Sequence, residues 1–175
     1  MTIPATILDI KTLGCFSISI GGKAVAKDWP DETLKLMFCS LLSPLDIFFT
    51  WERICSSMWD VQLTPTHRRQ IEELLIRPLK KYLTKEFGFN PLMSGVEGIK
   101  IDRQRIHIDA QDFYYCALEG FRLLFRGEHA AAIEKLNRAN LLFTGSFLPG
   151  LPGKIIENAR HDLELYRTAV LNRLN

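Results

Sequence analysis

A chain of 175 residues, 47% of them hydrophobic and 24% charged, can bury a sizeable core, is too apolar to be disordered and has no apolar run of the ~18 residues a membrane span needs. The net charge is +2, and residues 1–110 and 111–175 are each close to +1, so neither part is a basic tail and affinity for nucleic acid must come from local clustering. Cys15, Cys39, Cys55 and Cys116 form no C-x-x-C pair and lie in apolar contexts, which predicts buried reduced thiols in a cytoplasmic protein. The N-terminus lacks the pattern of a secretory signal.

The chain opens with strands. Residues 7–10 are a short apolar run, and residues 13–20 alternate Phe16, Ile18 and Ile20 against Ser17 and Ser19, with an irregularity near Gly14. Gly21-Gly22 is the signal of a two-residue hairpin loop into residues 23–26. Residues 6–27 are thus expected to form a small antiparallel sheet.

Helices follow. Asp31 and Glu32 open the first, with Leu34, Leu36, Met37, Cys39, Leu41 and Leu42 as its apolar stripe, and Ser43-Pro44 stops it. Residues 46–49 read as an extended link. Thr50 caps a second helix running through Met58, with Trp51, Ile54, Met58 and Trp59 inward.

The third helix spans residues 64–84, with Thr64 at the N-cap and Pro65 at the first position, where a missing N–H costs nothing. Ile71, Leu74, Leu75, Leu79, Tyr82 and Leu83 form its buried stripe, and Thr66, Arg69, Gln70, Glu73, Arg77 and Lys80 face away. Residues 64–85 hold six Lys/Arg and two acids, a local charge of +4. Pro78 removes a backbone donor deep in the helix and predicts a kink there or an end near Arg77.

A loop rich in Gly, Asn, Pro and Ser occupies residues 87–97, and residues 99–109 alternate with period two on both sides of Asp102-Arg103-Gln104, which predicts a hairpin with Arg103 and Arg105 at its tip. A sheet, three helices and a terminal hairpin are the order of a winged helix-turn-helix. From Asp112 the pattern is all helical, with Phe113, Tyr114, Ala117, Leu118, Phe121, Leu124 and Phe125 in one stripe and Ala131, Ala132, Ile133, Leu136, Ala139 and Leu142 in the next. Ala132 and Ala139 allow the close helix packing of a tetratricopeptide hairpin. A turn-rich connection, residues 144–153, leads to a last helix over residues 155–174. One hairpin and one further helix are too little for a self-sufficient solenoid, so the chain is expected to be a fragment of a longer protein. The expected class is α+β: a winged-helix domain over residues 1–110 and a tetratricopeptide-like segment over residues 111–175.

Several groups of residues carry a resemblance in order along the chain. They are Leu13-Gly14-Cys15-Phe16 with Gly21, Leu41-Leu42, Met58-Trp59, Leu79-Lys80-Lys81 with Leu83, Asp109 with Phe113, Gly127 with Ala132, Gly145-Ser146-Phe147-Leu148-Pro149-Gly150, and Arg160 with Leu163. Through them nearly the whole chain resembles the N-terminal part of the SARP (antibiotic regulatory protein) family, an OmpR-like winged helix joined to a bacterial transcriptional activator domain. The resemblance implies sequence-specific DNA binding through the third helix and transcription activation through RNA polymerase contact. Thr66, Arg69, Gln70 and Arg77 are then the candidates for base edges, and Arg68, Lys80, Lys81, Arg103 and Arg105 for phosphates. Pro78, Glu73, Asp31 and Glu32 depart from the pattern, and the acids oppose phosphate binding.

Double-stranded DNA, RNA polymerase and a second copy of the chain are the candidate partners, with no membrane and no cofactor or metal. Enzymatic chemistry finds no support: His67, His107, His129 and His161 lack metal-ligand spacing, and Gly150-Leu151-Pro152-Gly153-Lys154 lacks the glycine spacing and the Ser/Thr of a phosphate loop. A reading of another class is a degenerate winged helix used for protein interaction, through Ile76 and Glu73 on the exposed helix face together with the helical hairpin.

Overall fold

The computed structural model describes residues 7–175; residues 1–6, where the expected first domain begins and where the expected opening sheet has its first residue, lie outside them. Strand β1 (Leu8–Lys11) alternates buried and exposed, with Leu8 and Ile10 inward. It pairs antiparallel with β2 (Ser17–Ile20), from Leu8↔Ile20 to Lys11↔Ser17, and β2 pairs with β3 (Lys23–Val25). Gly21 and Gly22 both take positive φ, +54° and +80°, as a hairpin turn that follows the sheet's twist requires.

Helix α1 (Glu32–Ser40) starts where the Asp31 carboxylate accepts the Thr33 N–H at 2.6 Å. The link after it ends in a two-residue strand, β4 (Phe49–Thr50). Thr50 Oγ1 then accepts the Arg53 N–H at the head of α2 (Trp51–Trp59), which stops at Asp60 in the left-handed conformation. Trp51 and Ile54 are buried as expected, joined by Cys55, while Met58 and Trp59 are only half-buried.

Helix α3 covers residues 65–87 without a break. Its first part, Pro65–Ile71, and last part, Arg77–Phe87, are α-helical, and Glu72–Ile76 between them is π-helical. The expected kink or end at Pro78 is replaced by this wider turn. The Arg77 N–H reaches back five residues to the Glu72 carbonyl, and the backbone is already loosened just where the proline has no N–H to give.

The expected hairpin over residues 99–109 is corrected. Strand β5 (Leu92–Ser94) pairs antiparallel with β6 (Gly98–Ile101), from Leu92↔Ile101 to Ser94↔Ile99, and β4 pairs on the other side of β6. The turn of this wing is therefore Gly95-Val96-Glu97. After β6 the Asp102 carboxylate accepts the Gln104 N–H and caps a single 3-10 turn, Arg103–Arg105, which carries the chain on rather than back. Strand β7 (Ile106–Ile108) then pairs parallel with β1, from Leu8↔Ile106 to Ile10↔Ile108. Both edges of β6 are already taken, and β1 offers a free edge with the same inward alternation.

Helix α4 (Asp109–Phe125) begins directly after β7, three residues earlier than expected, and packs against α5 (His129–Leu142) and α6 (Lys154–Leu174). Ala132 and Ala139 are fully buried, and a Cβ on Gly120 would come within 2.5 Å of Leu136, so small residues set the closeness of the α4/α5 hairpin.

Buried side chains form a continuous cluster from the four-stranded sheet through α1, α3 and the wing to α4, α5 and α6. A seam of hydrogen bonds closes it: the Gly14 N–H donates to the Ser146 carbonyl at 2.9 Å, the Leu148 N–H to the Thr12 carbonyl at 2.7 Å, and the Thr144 hydroxyl to the Leu13 carbonyl at 2.8 Å. The Asp109 carboxylate accepts from Thr12 N–H (2.7 Å), Thr12 Oγ1 (2.6 Å) and Leu13 N–H (3.1 Å). Arg160 donates to the carbonyls of Phe147, Leu148 and Leu151 and fixes the loop between α5 and α6. The two ring nitrogens of His107 lie 2.8 Å from the Asp9 carboxylate and 2.6 Å from that of Asp112, and these carboxylates raise its imidazole from the ordinary histidine value. All four thiols are free; Cys39 and Cys55 are buried as expected, Cys116 is half-buried, and Cys15 is exposed, contrary to expectation, because it follows the Gly14 bend outside β2. Among the described residues no helix is long and apolar enough to cross a membrane.

Candidate nucleic-acid interface

Two helices and their turn make the candidate interface. Thr64 Oγ1 accepts the His67 N–H at 3.2 Å, and His67 Nδ1 donates to the Gln62 carbonyl at 2.8 Å, which ties the α2–α3 turn to the first turn of α3. An ion pair between Lys154 and Asp60 attaches the start of α6 to the same turn. Of the candidate base-reading residues, Thr66, Arg69, Gln70 and Arg77 are all exposed on α3, as is Lys81. Among the described residues Arg69, Arg77 and Lys81 have no ion-pair partner, so their charge faces solvent. Glu73 is exposed between Arg69 and Arg77 at four-residue spacing, on the same face.

The remaining cations are held differently. Arg68 lies 3.7 Å from the Trp51 ring centroid and pairs with Glu72 at 3.4 Å. Lys80 donates to Ser94 Oγ at 2.6 Å and so braces the wing against α3. Trp51 completes the brace, with its indole N–H donating to the Gly95 carbonyl at 3.1 Å and its backbone N–H to the Glu97 carbonyl at 3.2 Å.

Arg103 and Arg105 are not at the wing tip. Arg103 donates to Gln111 Oε1 (2.6 Å) and to the carbonyls of Ser43 (2.8 Å) and Asp46 (3.0 Å), and burial lowers its guanidinium from the ordinary value. Arg105 stacks on Phe89 at 3.7 Å from the ring centroid. Both serve the packing beneath the 3-10 turn. At the real tip Val96 is 94% exposed beside Glu97, and Lys100 is the exposed cation of the wing strands. Lys100 was findable from its place between Ile99 and Ile101, since alternation puts it on the solvent face.

The π segment also exchanges two residues of α3. Leu74, expected inside, is 61% exposed, and Ile76, which an interaction surface on this helix would need outside, is 0% exposed. Each π-helical residue turns less than the ~100° of an α-helix, so the second half of the helix meets the core through Ile76, Leu79, Leu83 and Phe87. Among the described residues no group of three His, Cys, Asp or Glu is placed to hold a metal ion.

A helix-turn-helix between two small sheets, a braced wing and a helical hairpin define an α+β winged-helix fold with a tetratricopeptide-like extension. The chain is similar over 97% of its length to the structure of Mycobacterium tuberculosis EmbR in complex with a low affinity phosphopeptide, with 18% identity and a TM-score of 0.60, and it spans 43% of that chain. At this identity the likeness is one of fold. No protein-family model and no curated protein matches the chain in sequence.

Proposed function

We propose that this protein is a DNA-binding transcriptional regulator, an activator, that reads the major groove with α3 and steadies the duplex with its wing. The observation that carries it is the outward face of α3, where Arg69, Arg77 and Lys81 stand exposed and unpaired beside Thr66 and Gln70 on the second helix of a helix-turn-helix. In this reading Thr66, Arg69, Gln70 and Arg77 meet base edges, and Arg68, Lys80 and Lys81 meet phosphates. The wing's phosphate contact falls to Lys100, since the guanidinium groups of Arg103 and Arg105 are engaged within the protein. Residues 1–110 would be the DNA-binding part and residues 111–175 the activator part, with RNA polymerase as the partner that activation requires and a second copy of the chain as the means of reading a two-fold site.

Duplexes selected by the protein from a randomised library, titrated at two salt concentrations, test this. Four phosphate contacts give a slope of log affinity against log salt of about −3 to −4. Arg69→Ala should cost ~1–3 kcal/mol of discrimination between selected and unrelated duplex, while Lys100→Ala should weaken all duplexes alike and flatten the slope by about one. Binding no tighter than ~10⁻⁴ M at low salt would overturn the proposal.

A further inference from the structure

Leu74 stands on the proposed reading helix with most of its side chain in solvent, and the reason is local. With Ile71 inward, an unbroken α-helix would place residue 74 within ~60° of residue 71 and bury it. The π segment slows the turn and leaves Leu74 on the flank shared with Gln70 four residues before it and Pro78 four residues after. Its inner side forms one wall of a cleft of about 410 Å³ with Asp31, Thr33, Leu34, Trp59, Leu75 and Pro78. The Asp31 carboxylate at that cleft is occupied by its own helix's Thr33 N–H.

A leucine makes no hydrogen bond, and among the groups a base pair presents in the major groove the one that rewards an apolar contact is the C5-methyl of thymine. Gln70, one turn earlier on the same flank, has the amide that pairs with the N6/N7 edge of adenine. We infer, resting on the DNA-binding reading above, that Leu74 reads a thymine methyl and that Gln70 reads an adenine beside it. The middle of the site is then A·T, and the π segment is what makes Leu74 a specificity-determining residue. Arg69 and Arg77 on the adjoining outward face set the register in which Leu74 meets the base.

Uracil is thymine without this methyl, so the contact is removable from the DNA side alone. The wild-type protein is used to select a duplex from a randomised library, and each selected dT is then replaced singly by dU. One replacement should weaken wild-type binding by about fourfold, the worth of keeping one methyl group out of water. Leu74→Ala should bind the dT duplex about as weakly as wild type binds that dU duplex, and should be indifferent to the replacement. Gln70→Ala should lose the preference for adenine at the neighbouring pair while keeping the dU penalty. If every dU replacement is silent in wild type, or if Leu74→Ala keeps the full penalty, the inference is overturned with DNA binding intact, and the cleft beside Leu74 becomes a contact for protein. If wild type binds no duplex at all, the regulator reading falls and this inference falls with it.

Discussion

Asp109 is the single side chain on which most of the joint between strand and helix converges. Its two oxygens accept from Thr12 N–H, Thr12 Oγ1, Leu13 N–H and Ala110 N–H, and Thr12 is itself fully buried. An aspartate in the first turn of a helix, as Asp109 and Asp112 are here, is legible in sequence as a helix-start signal, but nothing local tells that the Asp109 donors lie 96 and 97 residues earlier. Removing the carboxylate leaves buried donors unsatisfied at ~1–3 kcal/mol each. Asp109→Ala should therefore cost about 3–5 kcal/mol in denaturant unfolding, and Asp109→Asn clearly less, because its amide oxygen still accepts from Thr12. Equal losses in the two variants would place the effect in the helix start rather than in these bonds. The same limit explains Arg103. Period-two alternation around Asp102-Arg103-Gln104 is real, yet whether it closes a hairpin or a crossover depends on which strand edge is free, and that is decided by β5. Leu92-Met93-Ser94 was hidden in a segment whose Gly, Asn, Pro and Ser content reads as loop.

At the scale of an element, the π segment of α3 behaves as one residue too many inside an otherwise regular helix. The apolar residues on either side fit one α-helical stripe if Leu74 is taken out: Ile71 would then be followed by Leu75 and Ile76 three and four places on, then by Leu79, Leu83 and Phe87. Deleting a residue from the middle of a helix ordinarily swings one half by ~100° and unfolds the protein. Here deletion of Leu74 should leave a helical, cooperatively melting protein, within about 1 kcal/mol of wild type after the bulge and its weaker hydrogen bonds are lost. Deletion of Ile76 removes a fully buried side chain and should be severely destabilising. Circular dichroism melts of the two deletions separate them, and like losses in both would mean that the π turn is itself required. The start of this helix was legible, since Thr64 and Pro65 mark it, while its far end lies at Phe87, three residues past the expected 84. The bulge was not, because Leu74 and Ile76 are both apolar and a period of 3.6 accepts either.

Over the whole molecule, the winged helix and the helical hairpin meet where two glycine backbones touch. A Cβ on Gly145 would lie 2.6 Å from Gly14 Cα and 3.2 Å from Gly14 N, main-chain atoms that cannot swing aside. Gly145→Ala should act as a wedge in the seam and cost about 1–3 kcal/mol. Gly95→Ala, where a Cβ meets nothing within 4 Å, should be close to neutral and serves as the control in the same thermal melts; a neutral Gly145→Ala would show that the seam has room to open. The elements on either side of this seam were legible from hydrophobic period and turn residues, and the seam itself was not, since it joins positions as far apart as Leu13 and Thr144. The parallel pairing of β7 on β1 is equally remote, from Leu8 to Ile106, and it constrains how the chain is made. At a synthesis rate of ~5–20 residues per second, β1 leaves the ribosome roughly 5–20 s before β7 exists to pair with it. The Leu13–Phe147 bridge must wait longer still. For that interval β1 has β2 on one side and an open edge on the other, with Leu8 and Ile10 uncovered by α4, so β1 is where the growing chain is most exposed to wrong pairing.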